Sequence, residues 1–177
     1  MSDAESAPRG DRIAFVEEPT DPAEDPLEYE LTVPAGGSVS AGPHVHPYAE
    51  EWFTVAAGRL KATVAGRERV LGTGDRMTVP AGERHEWENR TEDGELRVRA
   101  ELRPGSSGRE TIEARQALPA DRLADDGEPD LWQTAVFVRA GLDDFARATP
   151  SVAAQNLAAT LLGPLAKLRG YRVQYDD

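Results

Sequence analysis

The sequence predicts a mainly β unit of short strands over residues 11–108, then helices over 109–177, with 1–10 a flexible polar start. Three observations predict it. Apolar and polar residues alternate in 27–33 and again in 95–103, the period of a half-buried strand. Glycine and proline punctuate the chain at 34–37, 58, 74, 80–82 and 104–108, where short strands would turn. Past Gly108 the period of two is lost, and Ala, Glu, Arg and Leu, all good helix formers, take over.

Taken in order, 12–16 reads as a short strand and the acidic, proline-rich 17–25 as a loop. The run 27–33 is a half-buried strand, and 34–37 turns the chain. His44 and His46 lie two apart, so an extended backbone points both side chains to one side. Pro43 and Pro47 favour that backbone, because proline fixes its own φ and biases the residue before it towards β. After a turn at 48–50, Glu51 opens a new extended run, and Gly58 turns into the strand 59–65. Gly74 and Asp75 turn into 76–80. Pro80, Ala81 and Gly82 then deliver His85 at the start of another strand. In 95–103, Leu96, Val98, Ala100 and Leu102 face in, while Arg97, Arg99, Glu101 and Arg103 form a solvated outer face.

Three imidazoles and a carboxylate form a mixed nitrogen and oxygen donor set, which suits zinc, iron, manganese, nickel or copper. His44, His46 and His85 are the three histidines of the chain. Glu50 competes with Glu51 for the carboxylate role. Alternation puts Phe53 and Val55 on the face of Glu51, and Trp87 on the face of His85. These residues make either an aromatic wall beside a metal or ordinary barrel core. Tyr48, between the two halves of the first motif, is a further pocket candidate.

The two motifs resemble those of the cupins. The second matches the family pattern at Gly74, Pro80, Gly82, His85 and Asn89. The first matches at His44, His46, Glu51 and Gly58, with its leading glycine displaced by one, since Ser38 stands there and Gly37 precedes it. The resemblance implies a single cupin jelly-roll β-barrel followed by C-terminal α-helices. It implies that His44, His46, Glu51 and His85 bind one divalent transition metal ion (Fe, Mn, Zn, Ni or Cu) inside the barrel. It further implies a metal-dependent enzyme acting on a small molecule, a dioxygenase or an isomerase or lyase. The rival reading is a cupin that binds a small molecule or metal without turnover. With every histidine used as a ligand, a general acid or base would come from carboxylates or from Tyr48, Tyr29 or Glu83.

In the C-terminal region, 109–124 reads as helical with Pro119 starting a new turn and Asp126 and Gly127 ending it. Pro129 and Asp130 introduce a second helix with Leu131, Ala135, Val138 and Leu142 as one stripe. Residues 150–169 form a third, with Leu157, Leu161, Leu165 and Leu168 at helical spacing and a kink or restart at Gly163–Pro164. Polar residues and prolines keep this segment from reading as a membrane span. It is expected to pack on the barrel or on the second subunit of a homodimer. The final stretch through Tyr175 could add an edge strand.

The net charge of −12, from 32 acidic and 20 basic residues, disfavours nucleic acid and anionic membranes as partners. Lys61 and Lys167 are the lysines, and all other basic residues are arginine. This acidic, lysine-poor composition fits a salt-loving source or a GC-rich genome. The absence of cysteine and of a signal-like start fits a cytoplasmic protein.

Overall fold

The computed structural model describes residues 11–17, 19–37, 42–125 and 128–174. The expectations for 1–10, Ser38, Asp126, Gly127 and Tyr175 lie outside these residues. Ten strands are formed: β1 (Arg12–Glu17), β2 (Leu27–Val33), β3 (His44–Val45), β4 (Glu50–Ala57), β5 (Arg59–Val64), β6 (Arg67–Gly72), β7 (Arg76–Val79), β8 (His85–Asn89), β9 (Leu96–Arg103) and β10 (Ala146–Arg147). Three helices follow the ninth strand: α1 (Gly108–Gln116), α2 (Leu131–Arg139) and α3 (Val152–Leu168).

Two antiparallel five-stranded sheets face each other. One has the order β1-β2-β9-β4-β7, the other β10-β3-β8-β5-β6. Alternation decides what lies between them. Leu27, Tyr29, Leu31 and Val33 of β2 and Leu96, Val98, Ala100 and Leu102 of β9 are buried, and they meet Phe53, Val55, Leu60, Ala62 and Trp87 in one core. Each fully buried leucine there is worth about 2–5 kcal/mol against alanine. The outward residues Arg97, Arg99 and Arg103 are exposed, with Arg99 paired to Glu28 and Arg103 to Glu101.

Gly58 and Asn89 explain two motif positions that carry no metal chemistry. Gly58 has φ of 91°, and a Cβ built there would stand 2.5 Å from Thr91 Oγ1 and 3.1 Å from the Glu95 carbonyl. Only glycine suits both the dihedral and the space. The buried Asn89 amide donates to the carbonyls of Val33 (3.0 Å), Pro34 (2.9 Å) and Gly94 (3.2 Å). Its oxygen accepts from the Thr91 N–H at 2.8 Å. One side chain thereby ties the turn after β2 to the turn between β8 and β9 at one end of the barrel.

The C-terminal region differs from expectation in which faces it buries. α2 is capped by the Asp130 side chain, which accepts from the Gln133 N–H, and it buries Gln133, Ala135, Val136 and Phe137. The stripe expected through Leu131 is therefore displaced: Leu131 is exposed, and Leu142 lies beyond the helix end. α3 is one helix running through Gly163 and Pro164, capped by Ser151. It packs on α2 through its small residues, burying Ala159, Gly163 and Ala166, while Leu157, Leu161, Leu165 and Leu168 are exposed. Of the two packings expected for this segment, on the barrel or on a second subunit, these leucines do not make the first within this chain. Gly163 shows why the small face wins: a Cβ there would meet Arg139 Cδ at 2.0 Å, so α2 comes closer than a leucine face would permit.

Between these helices the chain returns to the barrel. β10 pairs with β3, Ala146 opposite Val45 and Arg147 opposite His44, and so becomes the outer strand of the second sheet. Gln155 holds this return in place by donating to the carbonyls of Arg147 and Pro150, both at 2.8 Å.

Replacing Asn89 by Ala should cost about 2–4 kcal/mol, because buried carbonyls lose their donor and find no water. Chemical denaturation of the variant measures this, and an unchanged midpoint would contradict the tying role.

Candidate metal centre

β3 supplies His44 and the residue after it leads to His46, β4 supplies Glu51, and β8 supplies His85. His44 pairs directly with His85 across β3 and β8, so opposed side chains share the interior face. One ring nitrogen from each of His44, His46 and His85 can be chosen so that all lie within 4.8 Å of one another. Ring centroids stand 4.2 Å apart for His44 and His85, 4.9 Å for His44 and His46 and 5.1 Å for His46 and His85. Glu51 Oε2 lies 3.1 Å from His85 Nε2 and 3.6 Å from His46 Nε2. Two donors at about 2.1 Å from a shared ion stand about 3.0–3.4 Å apart, so these separations are close to those of common ligands.

The other nitrogen of each ring is committed. His44 Nδ1 faces the Gly42 carbonyl at 2.9 Å, His46 Nδ1 the Asp144 carbonyl at 2.8 Å, and His85 Nδ1 the Glu83 carbonyl at 2.9 Å. A carbonyl only accepts, so each Nδ1 carries the proton and each Nε2 is left with a lone pair. Glu51 is held similarly, its Oε1 accepting from the Tyr29 hydroxyl at 2.8 Å. The remaining atoms, His46 Nε2, His85 Nε2 and Glu51 Oε2, are buried without a hydrogen-bond partner. Buried polar atoms are rarely left so, and a cation satisfies all of them together.

At Glu51 and His44 protonation agrees with that donor set, whereas at His85 contact with Glu51 favours the proton. Burial would raise the Glu51 carboxyl, but contact with His46 and His85 outweighs it and holds the group well below the usual carboxylate range. Burial, then the neighbouring His85 and His46, push His44 well below its ordinary value despite the pull of Glu51. For His85 burial acts downward, yet contact with Glu51 lifts it above its ordinary value. Burial and the adjacent Glu51 charge raise Tyr29 well above a free tyrosine, so it stays a hydrogen-bond donor.

Of the other residues singled out in the sequence, Phe53, Val55 and Trp87 are buried in the barrel, with the Phe53 and Trp87 rings 4.4 Å apart. Trp87 is 6.4 Å from the His85 ring. Glu50 is exposed and accepts from Trp52 Nε1, so the buried carboxylate is Glu51. Tyr48 is 56% exposed and Glu83 is exposed, and neither side chain joins the cluster. Two residues were not anticipated. Phe145 stacks on His44 (5.3 Å) and meets His46 edge-on (4.4 Å), and the Asp144 carbonyl orients His46.

A buried three-histidine cluster that could hold a metal ion thus lies on the inner face of a two-sheet barrel. Residues 29–102 match the family model described as a cupin domain, which is less than half of the chain. Phe145 and β10 lie outside the matched segment. No curated protein matches the chain in sequence. Among solved structures, an uncharacterized conserved protein with a double-stranded β-helix domain from Klebsiella pneumoniae is 21% identical, covering 54% of this chain and 77% of its own, with a TM-score of 0.47. An RmlC-like cupin from Shewanella frigidimarina is 18% identical over 54% of this chain and 77% of its own, with a TM-score of 0.45. A predicted oxalate decarboxylase from Thermotoga maritima is 26% identical over 44% of this chain and 65% of its own, with a TM-score of 0.41. Among the described residues, no helix is long and apolar enough to cross a membrane.

Replacing Tyr29 by Phe removes the donor that orients Glu51 and leaves the ring volume. Zinc affinity, read by competition with a chromophoric chelator, should fall about 10–100-fold while the fold is kept. Unchanged affinity would show that Glu51 needs no such support.

Proposed function

We propose that His44, His46, His85 and Glu51 hold one divalent transition metal ion, and that the chain is a metal-dependent enzyme acting on a small molecule within the barrel. The carrying observation is the buried, unpartnered His46 Nε2, His85 Nε2 and Glu51 Oε2, each on a side chain whose other polar atom is already fixed, beside the third histidine of the cluster, His44. A bound ion would supply Lewis-acid polarisation or one-electron chemistry at that point. The chain's own residues do the rest. The three carbonyls lock the imidazoles in one tautomer, Glu51 brings a compensating negative charge, and Phe53, Trp87 and Phe145 exclude water from the histidine side.

Within that reading, dioxygenase chemistry is better supported than isomerase or lyase chemistry. Proton shuttling between substrate carbons requires a positioned acid or base with a free proton or lone pair. The buried candidates near the cluster are engaged: Tyr29 donates to Glu51, and Asp144 accepts from Ser107 Oγ at 2.6 Å. Burial raises the Asp144 carboxyl, and the Ser107 bond opposes that. The same engagement favours a second reading, a cupin that binds its small molecule without turnover.

The test combines elemental analysis with oxygen uptake on the full-length chain. Near-stoichiometric metal is expected in the native protein and its loss in the H44A/H46A variant, with circular dichroism unchanged. Oxygen consumed with a small-molecule substrate supports the dioxygenase, and metal without turnover supports the binding module. One metal per chain retained by the double variant would refute the ligand assignment.

A further inference from the structure

We propose that the gap between the edges of the two sheets, at β6 and β7, binds the anionic group of a small organic ligand through Arg67 and Arg69. The inference deepens the metal-centre reading by naming the ligand class, and it rests on that reading for the ligand's other end. In an antiparallel pair, directly opposed residues point to the same face. Arg67 is opposite Val64, which is opposite His85, which is opposite His44. Arg69 is opposite Ala62, which is opposite Trp87. Both arginines therefore stand on the interior face, in the same cross-strand rows as the metal-binding histidine and the aromatic wall. Because β6 is the last strand of its sheet, their guanidinium groups stand at the opening.

A groove of about 1300 Å³ runs from this opening across the outward face of the first sheet; both arginines line it at the opening with Val64 and Met77, and Trp52 and Arg99 stand along its outer part. Among the described residues, neither arginine takes part in an ion pair or a side-chain hydrogen bond, although nearby Lys61 is paired to Glu68 and Glu88. The carboxylates along the same groove are largely spoken for: Glu28 is tied to Arg99 and Glu101 to Arg103, which leaves Glu30 and Glu83, both exposed, against Arg67, Arg69 and Arg76. A chain of net charge −12 repels anions at long range, so a local pair of arginines beside Val64 and Met77 is what would hold one here. Arg67 lies two strands from His85, or about 10 Å across the sheet. The ligand that fits has a carboxylate, sulfonate or phosphate at one end, an apolar or aromatic body, and an oxygen donor at the other end to reach the metal centre.

The experiment uses a fluorescent pair on the full-length chain, anilinonaphthalene sulfonate and the neutral phenylnaphthylamine, titrated with and without zinc. The native chain should bind the sulfonate at least about tenfold more tightly than the neutral probe. In R67Q/R69Q the sulfonate should lose about tenfold while the neutral probe is unchanged, and R67K/R69K should keep most of the preference. Equal binding of both probes, or a sulfonate affinity indifferent to the glutamines, would overturn the proposal. The arginines would then serve only to guard an open sheet edge, or the probe would sit on the exposed leucines of α3. The zinc-free titration reads the arginines alone. Failure of zinc to bind, with the sulfonate preference intact, would overturn the metal reading and leave the anion site standing.

Discussion

Placing three imidazoles and a carboxylate inside a β-barrel is the constraint on which the rest of the structure depends. Each polar atom buried without a partner costs about 1–3 kcal/mol, and a buried charge costs more. The chain meets that cost from the backbone. Carbonyls of Gly42, Asp144 and Glu83 take the three Nδ1 protons, and the Tyr29 hydroxyl takes one oxygen of Glu51. What this cluster leaves unsatisfied, His46 Nε2, His85 Nε2 and Glu51 Oε2, stands at one place. A site arranged in this way is stable when a cation is shared and strained when it is not.

The demand for a third carbonyl explains why the region after the barrel cannot be an independent appendage. β3 has only two residues and would otherwise be an open edge beside the site. β10 covers that edge, its neighbour Asp144 orients His46, and Phe145 closes the ring cluster. Ser107, at the barrel's exit, holds Asp144 by donating its hydroxyl to the carboxylate at 2.6 Å. The helices then act as a clamp: α2 and α3 pack through small residues, and Gln155 fixes the backbone on either side of the turn into α3. Burial at the centre and packing at the periphery are therefore one connected system.

Much of this was legible in the residues. Alternation in 27–33 and 96–103 marks the inward faces because a sheet covered on one side needs period two. That His44, His46, Glu51 and His85 come together was legible because the two histidines share a face and the glycine turns bring Glu51 and His85 to the same end. Faces of the helices were not legible. Leucines at helical spacing mark a stripe, but in α3 the contact is decided by how near α2 can come, and Gly163 and Ala159 allow the closer approach. β10 and Phe145 left no pattern at all, since a two-residue strand has no period. Arg67 and Arg69 look like surface charge until the register places them opposite Val64 and Ala62.

The central claim is that three imidazoles and one carboxylate of this chain converge on a single ion. X-ray absorption at the zinc edge of the zinc-loaded full-length chain tests it most directly. The account predicts a shell of nitrogen and oxygen donors only, with outer-shell scattering from three imidazole rings. A spectrum showing one imidazole or none would place the ion among surface carboxylates and contradict the account.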